Sequence, residues 1–258
     1  MRMQTMLDFL RDLFSALSHA AGDASKEPDP APDVSTVDTV TGWDSDPPYR
    51  YIDVSKWQSN IDWAKVKAAG YKGAMLRALG SKSSTPYVDP YFEKNYAAAK
   101  AAGLDVGAYW YSAAVTQAMA DAELAMLKKA LRGKELTMPV AMDVEDAKLT
   151  VLDKQALTDF VAYSLNAVER MGFYAQLYTY TNFANAHLYV GGASLSPYDV
   201  WLADYTGKTP KVDFKYNAHQ HTSKGSVPGI SGPVDLDVTT INYPRIIEKK
   251  GLTRLREV

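Results

Sequence analysis

The sequence contains no cysteine, which excludes disulfide scaffolds, cysteine-ligated zinc, iron–sulfur clusters and thiol nucleophiles. Soft metal ligands are scarce as well, because only four histidines occur in 258 residues. His219 and His221 share a face at i, i+2, but no third histidine lies near them, so no metal site is expected. Nor does any run approach the roughly 18 apolar residues that cross a bilayer. No stable membrane insertion follows. Charge of one sign is also missing overall, since 28 bases stand against 30 acids, and a nucleic-acid reader carries a dense basic stripe instead. No nucleic-acid partner is expected. The near balance hides a division at Pro48: residues 1–48 hold three bases and nine acids, net −6, and residues 49–258 hold 25 and 21, net +4. The larger part is a mildly cationic domain suited to a polyanionic surface.

The first twenty residues are apolar enough to suggest a secretion signal, yet Asp8, Arg11 and Asp12 interrupt the stretch where such a signal needs an apolar core. The reading is therefore a protein made in the cytoplasm, without a signal peptide. Met6, Leu10, Leu13, Phe14 and Leu17 fall on one stripe of an amphipathic helix over 1–20, a surface for self-association or docking. Residues 21–48 are rich in proline, acid and small polar residues, which marks a linker. The main domain is assigned to 49–247 and a basic tail to 248–258.

From Tyr51 onward, β-branched or aromatic runs alternate with helical patterns, the signature of β/α units around a parallel sheet. Eight strands are read at 50–56, 73–80, 105–112, 138–145, 175–180, 199–205, 217–222 and 234–239. Helical patterns occupy 61–70, 89–103, 116–131 and 152–172, and Gly70, Gly103 and Gly172 sit just past three helix ends. After residue 173 the strands follow one another too closely for full helices. The fold class is α/β: an irregular, TIM-like (β/α) barrel with eight strands and fewer helices in its second half.

Barrels of this kind place their chemistry at the carboxyl ends of the strands. Carboxylates stand there: Asp53 ends the first run, Asp143 and Glu145 the fourth, and Asp235 and Asp237 lie in the eighth. Residues two apart on a strand share a face, so Asp143 and Glu145 project together while Val144 turns into the packing. Two such close carboxyls do not ionise independently, which sets an acid beside a base or nucleophile. That pairing is what cleavage of a glycosidic bond requires. An Asp-x-Glu tripeptide is common by itself, and the aromatic residues near the same strand ends give it weight. Tyr109, Trp110, Tyr111, Tyr178, Tyr180, Trp201 and Tyr205 offer rings on which sugars stack.

These residues carry a recognisable pattern. YIDVSKWQSNIDW (51–63), GAYWYS (107–112), PVAMDVE (139–145), VWLADY (200–205) and HQHTSKGSVPGISGPVDLDV (219–238) together resemble glycoside hydrolase family 25, the Chalaropsis-type lysozymes, over roughly residues 50–245. The resemblance implies hydrolysis of the β-1,4 bond from N-acetylmuramic acid to N-acetylglucosamine in peptidoglycan, with net retention and no cofactor. It implies Glu145 as the general acid and Asp143 as the group that stabilises the developing positive charge. Asp53 and Asp235 correspond to the family's other two site carboxylates, with Asp237 as the alternative to Asp235. Tyr109, Tyr111, Tyr178, Trp201, Tyr205, Gln220 and Asp237 are the expected substrate contacts. One departure is His221, where the family more often has Tyr. A chitinase-like glycosidase is the nearest rival, but Ala141 stands where its strand signature has an aspartate. A catalytically inactive wall-binding module is the rival of another class, and it would not need all four acids. The absence of a signal favours a phage-type endolysin over a secreted autolysin.

Overall fold

The structure, a computed structural model, describes residues 49–256. The amphipathic segment expected over 1–20 and the linker over 21–48 lie outside these residues. Nine strands are present: β1 (Tyr49–Val54), β2 (Gly73–Lys82), β3 (Thr85–Val88), β4 (Asp105–Tyr111), β5 (Val140–Asp143), β6 (Ala175–Tyr180), β7 (Asp199–Ala203), β8 (Ala218–Gly225) and β9 (Val234–Thr239). Eight of them close a ring in the order β1, β2, β4, β5, β6, β7, β8, β9, and β3 pairs with β2 outside it. Each of the eight runs read from the sequence holds one barrel strand.

Six helices accompany them: α1 (Trp63–Ala68), α2 (Phe92–Ala101), α3 (Gln117–Ala130), α4 (Lys154–Met171), α5 (Thr181–His187) and α6 (Tyr243–Lys250). The longest, α4, shows why the local sequence is helical. Asp153 caps its start by accepting from Ala156 N at 2.8 Å, and Gly172 ends it in the left-handed region at φ 101°. Between them Leu157, Phe160, Val161, Leu165 and Val168 recur at helical spacing and are buried against the sheet. Each such side chain contributes about 1.5–3 kcal/mol of burial.

The irregularity of the barrel lies in its last strand. β9 runs antiparallel to both β8 and β1. The reason is connection length: residues 226–233 are too few for the crossover of roughly a dozen residues or more that a parallel partner needs. β9 therefore enters the ring from the rim, and Asp235 near its start stands level with Asp53 near the end of β1, its partner in the register.

Strand alternation separates two apolar layers. Val106, Trp110, Val140, Met142, Val144, Leu177 and Leu202 face the helices. Tyr51, Met75, Tyr109, Ala141, Tyr178, Trp201 and Ala218 fill the barrel interior. Gly107 is required there, because a Cβ would lie 2.6 Å from the Pro139 carbonyl oxygen. The end of the barrel opposite the strand carboxyl ends is plugged by α6, whose Tyr243, Ile246 and Ile247 join the interior cluster. The segment read as a tail begins inside α6 and runs back over this floor, with Leu252 buried and Arg256 N donating to Met171 O at 2.9 Å. One end is sealed. The other holds the carboxylates.

Candidate active site

At the open end a cavity of about 380 Å³ gathers Asp53 from β1, Asp143 from the end of β5, Glu145 from just beyond it and Asp235 from β9. Asp143 is the last residue of β5, and Val144 continues the strand geometry by donating to Tyr178 O at 2.9 Å. Thr179 Oγ1 donates to Val144 O at 2.8 Å. With Val144 held on both sides and buried in the outer layer, Glu145 is turned back over the same cavity as Asp143.

Burial is the main electrostatic cause throughout. It pushes the Asp53 and Asp143 carboxyls well above the usual carboxylate range, and neighbouring charges add to it: Asp235 then Glu145 for Asp53, Glu145 then Asp53 for Asp143. Glu145 is raised by burial and then by Asp235, and burial pushes Asp235 up to about 6. The group thus retains protons at pH values where isolated carboxyls have lost them.

Opposing groups favour the ionised forms. Gln220 Nε2 donates to Asp53 Oδ2 at 2.7 Å, while its Oε1 accepts from Tyr178 OH at 2.9 Å and from Tyr205 OH. The Arg77 guanidinium also lines the cavity and lowers the Asp143 carboxyl. It is held by buried Asp89, with Arg77 Nε donating to Oδ2 at 2.8 Å. The same carboxylate accepts from Lys56 N at 2.9 Å, so one residue positions both the cation and the loop after β1. Asp143 Oδ1 is buried without a hydrogen-bond partner among the described residues, an acceptor left free over the cavity. No group of three or more His, Asp or Glu among the described residues is arranged to hold a metal ion.

A cluster of buried carboxyls at the open end of an irregular barrel fits glycosidic chemistry, and the comparison with known families decides which. Residues 52–230 match the model of glycosyl hydrolases family 25. The chain belongs to this family. It is 31% identical over 191 residues to the uncharacterized protein YegX of Escherichia coli O6:H1, covering 72% of this chain and 68% of that one. It is 30% identical over 188 residues to the autolytic lysozyme of Clostridium acetobutylicum, covering 72% of this chain and 54% of that one. Among solved structures, the CTP1L endolysin superposes with a TM-score of 0.65 at 28% identity, over 78% of this chain and 69% of that one.

Of the contacts expected from the sequence, this family 25 barrel brings Tyr109, Tyr111, Tyr178, Trp201, Tyr205 and Gln220 to the cavity with the four acids. They are not equivalent. Trp201 is only 1% exposed, wedged against Tyr51, Tyr109 and Tyr178 with its Nε1 donating to Asp237 Oδ1 at 2.8 Å. It forms the floor and has no ring face free for a sugar. Asp237, paired with Tyr51 in the register, lies beneath that floor and off the cavity wall. Two of the seven rings counted near the strand ends belong elsewhere: Trp110 points into the helical layer, and Tyr180 lines a separate depression with Thr181 and Asp204.

Sequence reasoning missed Trp57, Ser55, Gln58 and Arg77, which also line the cavity. Trp57 is 75% exposed, a rim ring with its face available. It stands in the quoted first motif, and its place just past the end of β1 was the available signal. Arg77 carried none, because an arginine inside an apolar strand run reads as an exposed residue until the barrel closes around it.

Proposed function

We propose that the chain is a retaining muramidase in which Glu145 protonates the glycosidic oxygen between N-acetylmuramic acid and N-acetylglucosamine while Asp143 stabilises the charge that develops at the anomeric carbon. The reading is supported by family membership, by lysozyme relatives such as that of C. acetobutylicum, and above all by one observation. Asp143 and Glu145 leave the same strand end and face one cavity together, both with raised affinity for protons. Glu145 carries the proton in the first step and accepts one from water in the second, as retention demands. Asp143 acts on the anomeric centre directly or through the substrate's acetamido oxygen. Asp53 and Asp235 orient the sugar and set the protonation of the pair, and the exposed Trp57 face is the stacking platform at the rim.

Mass analysis of muropeptides released from purified peptidoglycan tests the bond cleaved. Muramic acid at the new reducing end is the expected result, and glucosamine there would overturn the assignment. Proton NMR of the first anomer formed should show β; an initial α-anomer would exclude retention.

Two further parts of the reading concern context. The likeness to the CTP1L endolysin supports a phage-type role on the wall after release from the cytoplasm. The apolar stripe from Met6 to Leu17 is assigned to self-association or docking, not to chemistry. Deleting residues 1–45 should change the mass seen by light scattering and leave turnover of a soluble oligosaccharide unchanged.

A further inference from the structure

Continuous with the catalytic cavity is a second depression of about 820 Å³, and Trp57, Arg77 and Tyr111 line both. Its far wall is the β2–β3 hairpin, which ring closure does not need. The hairpin is built with some strain. Its turn residues Ser83 and Ser84 both have positive φ, 50° and 62°, where glycine or asparagine is the usual choice. Lys148 Nζ donates to Ser84 Oγ at 3.1 Å and ties the tip to the segment after β5. Gly80 lets the hairpin fold its own aromatic ring down, since a Cβ there would lie 2.6 Å from the Tyr87 ring. Non-glycine residues held at positive φ tend to persist where function requires the shape they give.

Lys56 lies against that ring. Its Nζ is 4.9 Å from the ring centroids of both Tyr87 and Trp57, and among the described residues no carboxylate pairs with it. Lys82 is exposed on the hairpin, lines the same groove and is likewise unpaired. Ser81 Oγ is buried in the wall without a hydrogen-bond partner. The single acid in the lining, Asp146, is occupied in capping Lys148 N at 2.8 Å and in contact with the Tyr111 hydroxyl. The two depressions thus have opposite character: carboxylates in one, ammonium groups and a free hydroxyl between aromatic faces in the other. A neutral sugar has no need of unpaired ammonium groups. An anion attached to a sugar does, and the catalytic carboxylates would repel it toward them.

We propose that this groove is the subsite for the anionic arm of muramic acid. The inference rests on the peptidoglycan reading above. The 3-O-lactyl group of the sugar in the cavity reaches toward the hairpin, and the carboxylate it carries, either its own or one on the attached peptide, is held by Lys56 and Lys82 with Ser81 donating. Muramic acid differs from glucosamine by this lactyl ether, so the hairpin is where wall glycan is told from chitin.

The test uses the full chain and three soluble glycans of equal length: one bearing stem peptides, one stripped to free lactyl groups, and the stripped glycan with its carboxyls converted to amides. Joint Lys56→Gln and Lys82→Gln substitution should raise KM about tenfold on the recognised charged substrate, as loss of charge-assisted hydrogen bonds does, with little change in kcat. Lys56→Arg with Lys82→Arg should restore it. A rise on the stripped glycan identifies the lactyl carboxylate, and a rise confined to the peptide-bearing glycan identifies the stem. Either rise must vanish on the amide. An equal rise on the amide, or no rise on either charged glycan, overturns the subsite. If the wild-type chain cleaves none of the three, the muramidase reading fails separately, and calorimetric binding of the charged and amidated glycans to wild type and the double variant still decides the groove.

Discussion

Gln220 reaches past β9 to donate to Asp53 Oδ2 at 2.7 Å, linking two strands that are not neighbours in the ring. The same amide accepts from Tyr178 and Tyr205, so its orientation is set by two hydroxyls and cannot flip without losing them. With a hydrogen bond from Asp237, it favours the ionised form of a carboxyl which burial and Asp235 push the other way. Gln220→Ala should therefore raise the Asp53 pKa further. If catalysis needs Asp53 ionised, the acidic limb of the kcat/KM profile moves to higher pH, with about a tenfold loss near pH 5. An unchanged profile with uniformly lower activity would leave Gln220 only a packing role.

Glu145→Gln should fold normally and lose about 10²–10⁴-fold in kcat, the usual worth of a general acid. Asp143→Asn should be similarly impaired. As the proposed general acid Glu145 works protonated, and its pKa is raised, so wild-type activity should persist as pH rises and be lost only above that raised value. The residual activity of Glu145→Gln should lack this alkaline limb. Near-normal wall lysis by either variant would remove the pair from the mechanism.

Asp235 supplies a stability test. Its folded pKa of about 6 lies above the ordinary aspartate value. The folded state then binds more protons than the unfolded state between roughly pH 4 and 6, so stability falls as pH rises through that window. Asp235→Asn should melt about 2–4 °C higher than wild type at pH 8, a gain of about 1 kcal/mol discounted for the partial exposure of the group. The gap should close below about pH 4. Differential scanning calorimetry at both pH values checks it, and a constant gap would mean that titration is not its source.

Trp57 and Trp201 should separate by what their loss damages. Trp57→Ala removes a ring that is 75% exposed, so KM should rise about five- to tenfold with the melting temperature almost unchanged. Trp201→Phe removes the indole donor to buried Asp237 and loosens the contact with Tyr178 at 4.6 Å. It should cost about 2–4 kcal/mol of stability in denaturant titration. The opposite pattern, a stable Trp201→Phe with a raised KM, would make Trp201 a sugar platform after all.

Much of this was legible along the chain because it is local. Short β-branched or aromatic runs located all eight barrel strands, and the helical patterns between them located α1 to α4, since both signals are set by backbone geometry within a few residues. The Asp143 and Glu145 pair was readable for the same reason: two positions on one strand share a face whatever surrounds them. The β2–β3 hairpin was not readable. Its turn is Ser83–Ser84 with no glycine or asparagine to announce it, and the run through Gly80 looked like the end of one strand.

The residues of single strands determined which acids and rings could face one another, and the family motifs told what they would cut. Closure of the ring decided the rest. It set Asp235 of β9 level with Asp53 of β1, made Trp201 the floor with Asp237 beneath it while lifting Trp57 to the rim, and brought Gln220 to Asp53 and Arg77 to Asp143. These relations join strands far apart in the chain, and depth along the barrel axis depends on the register of every strand between them. No window of sequence contains that register, because it is fixed only when the last strand pairs with the first.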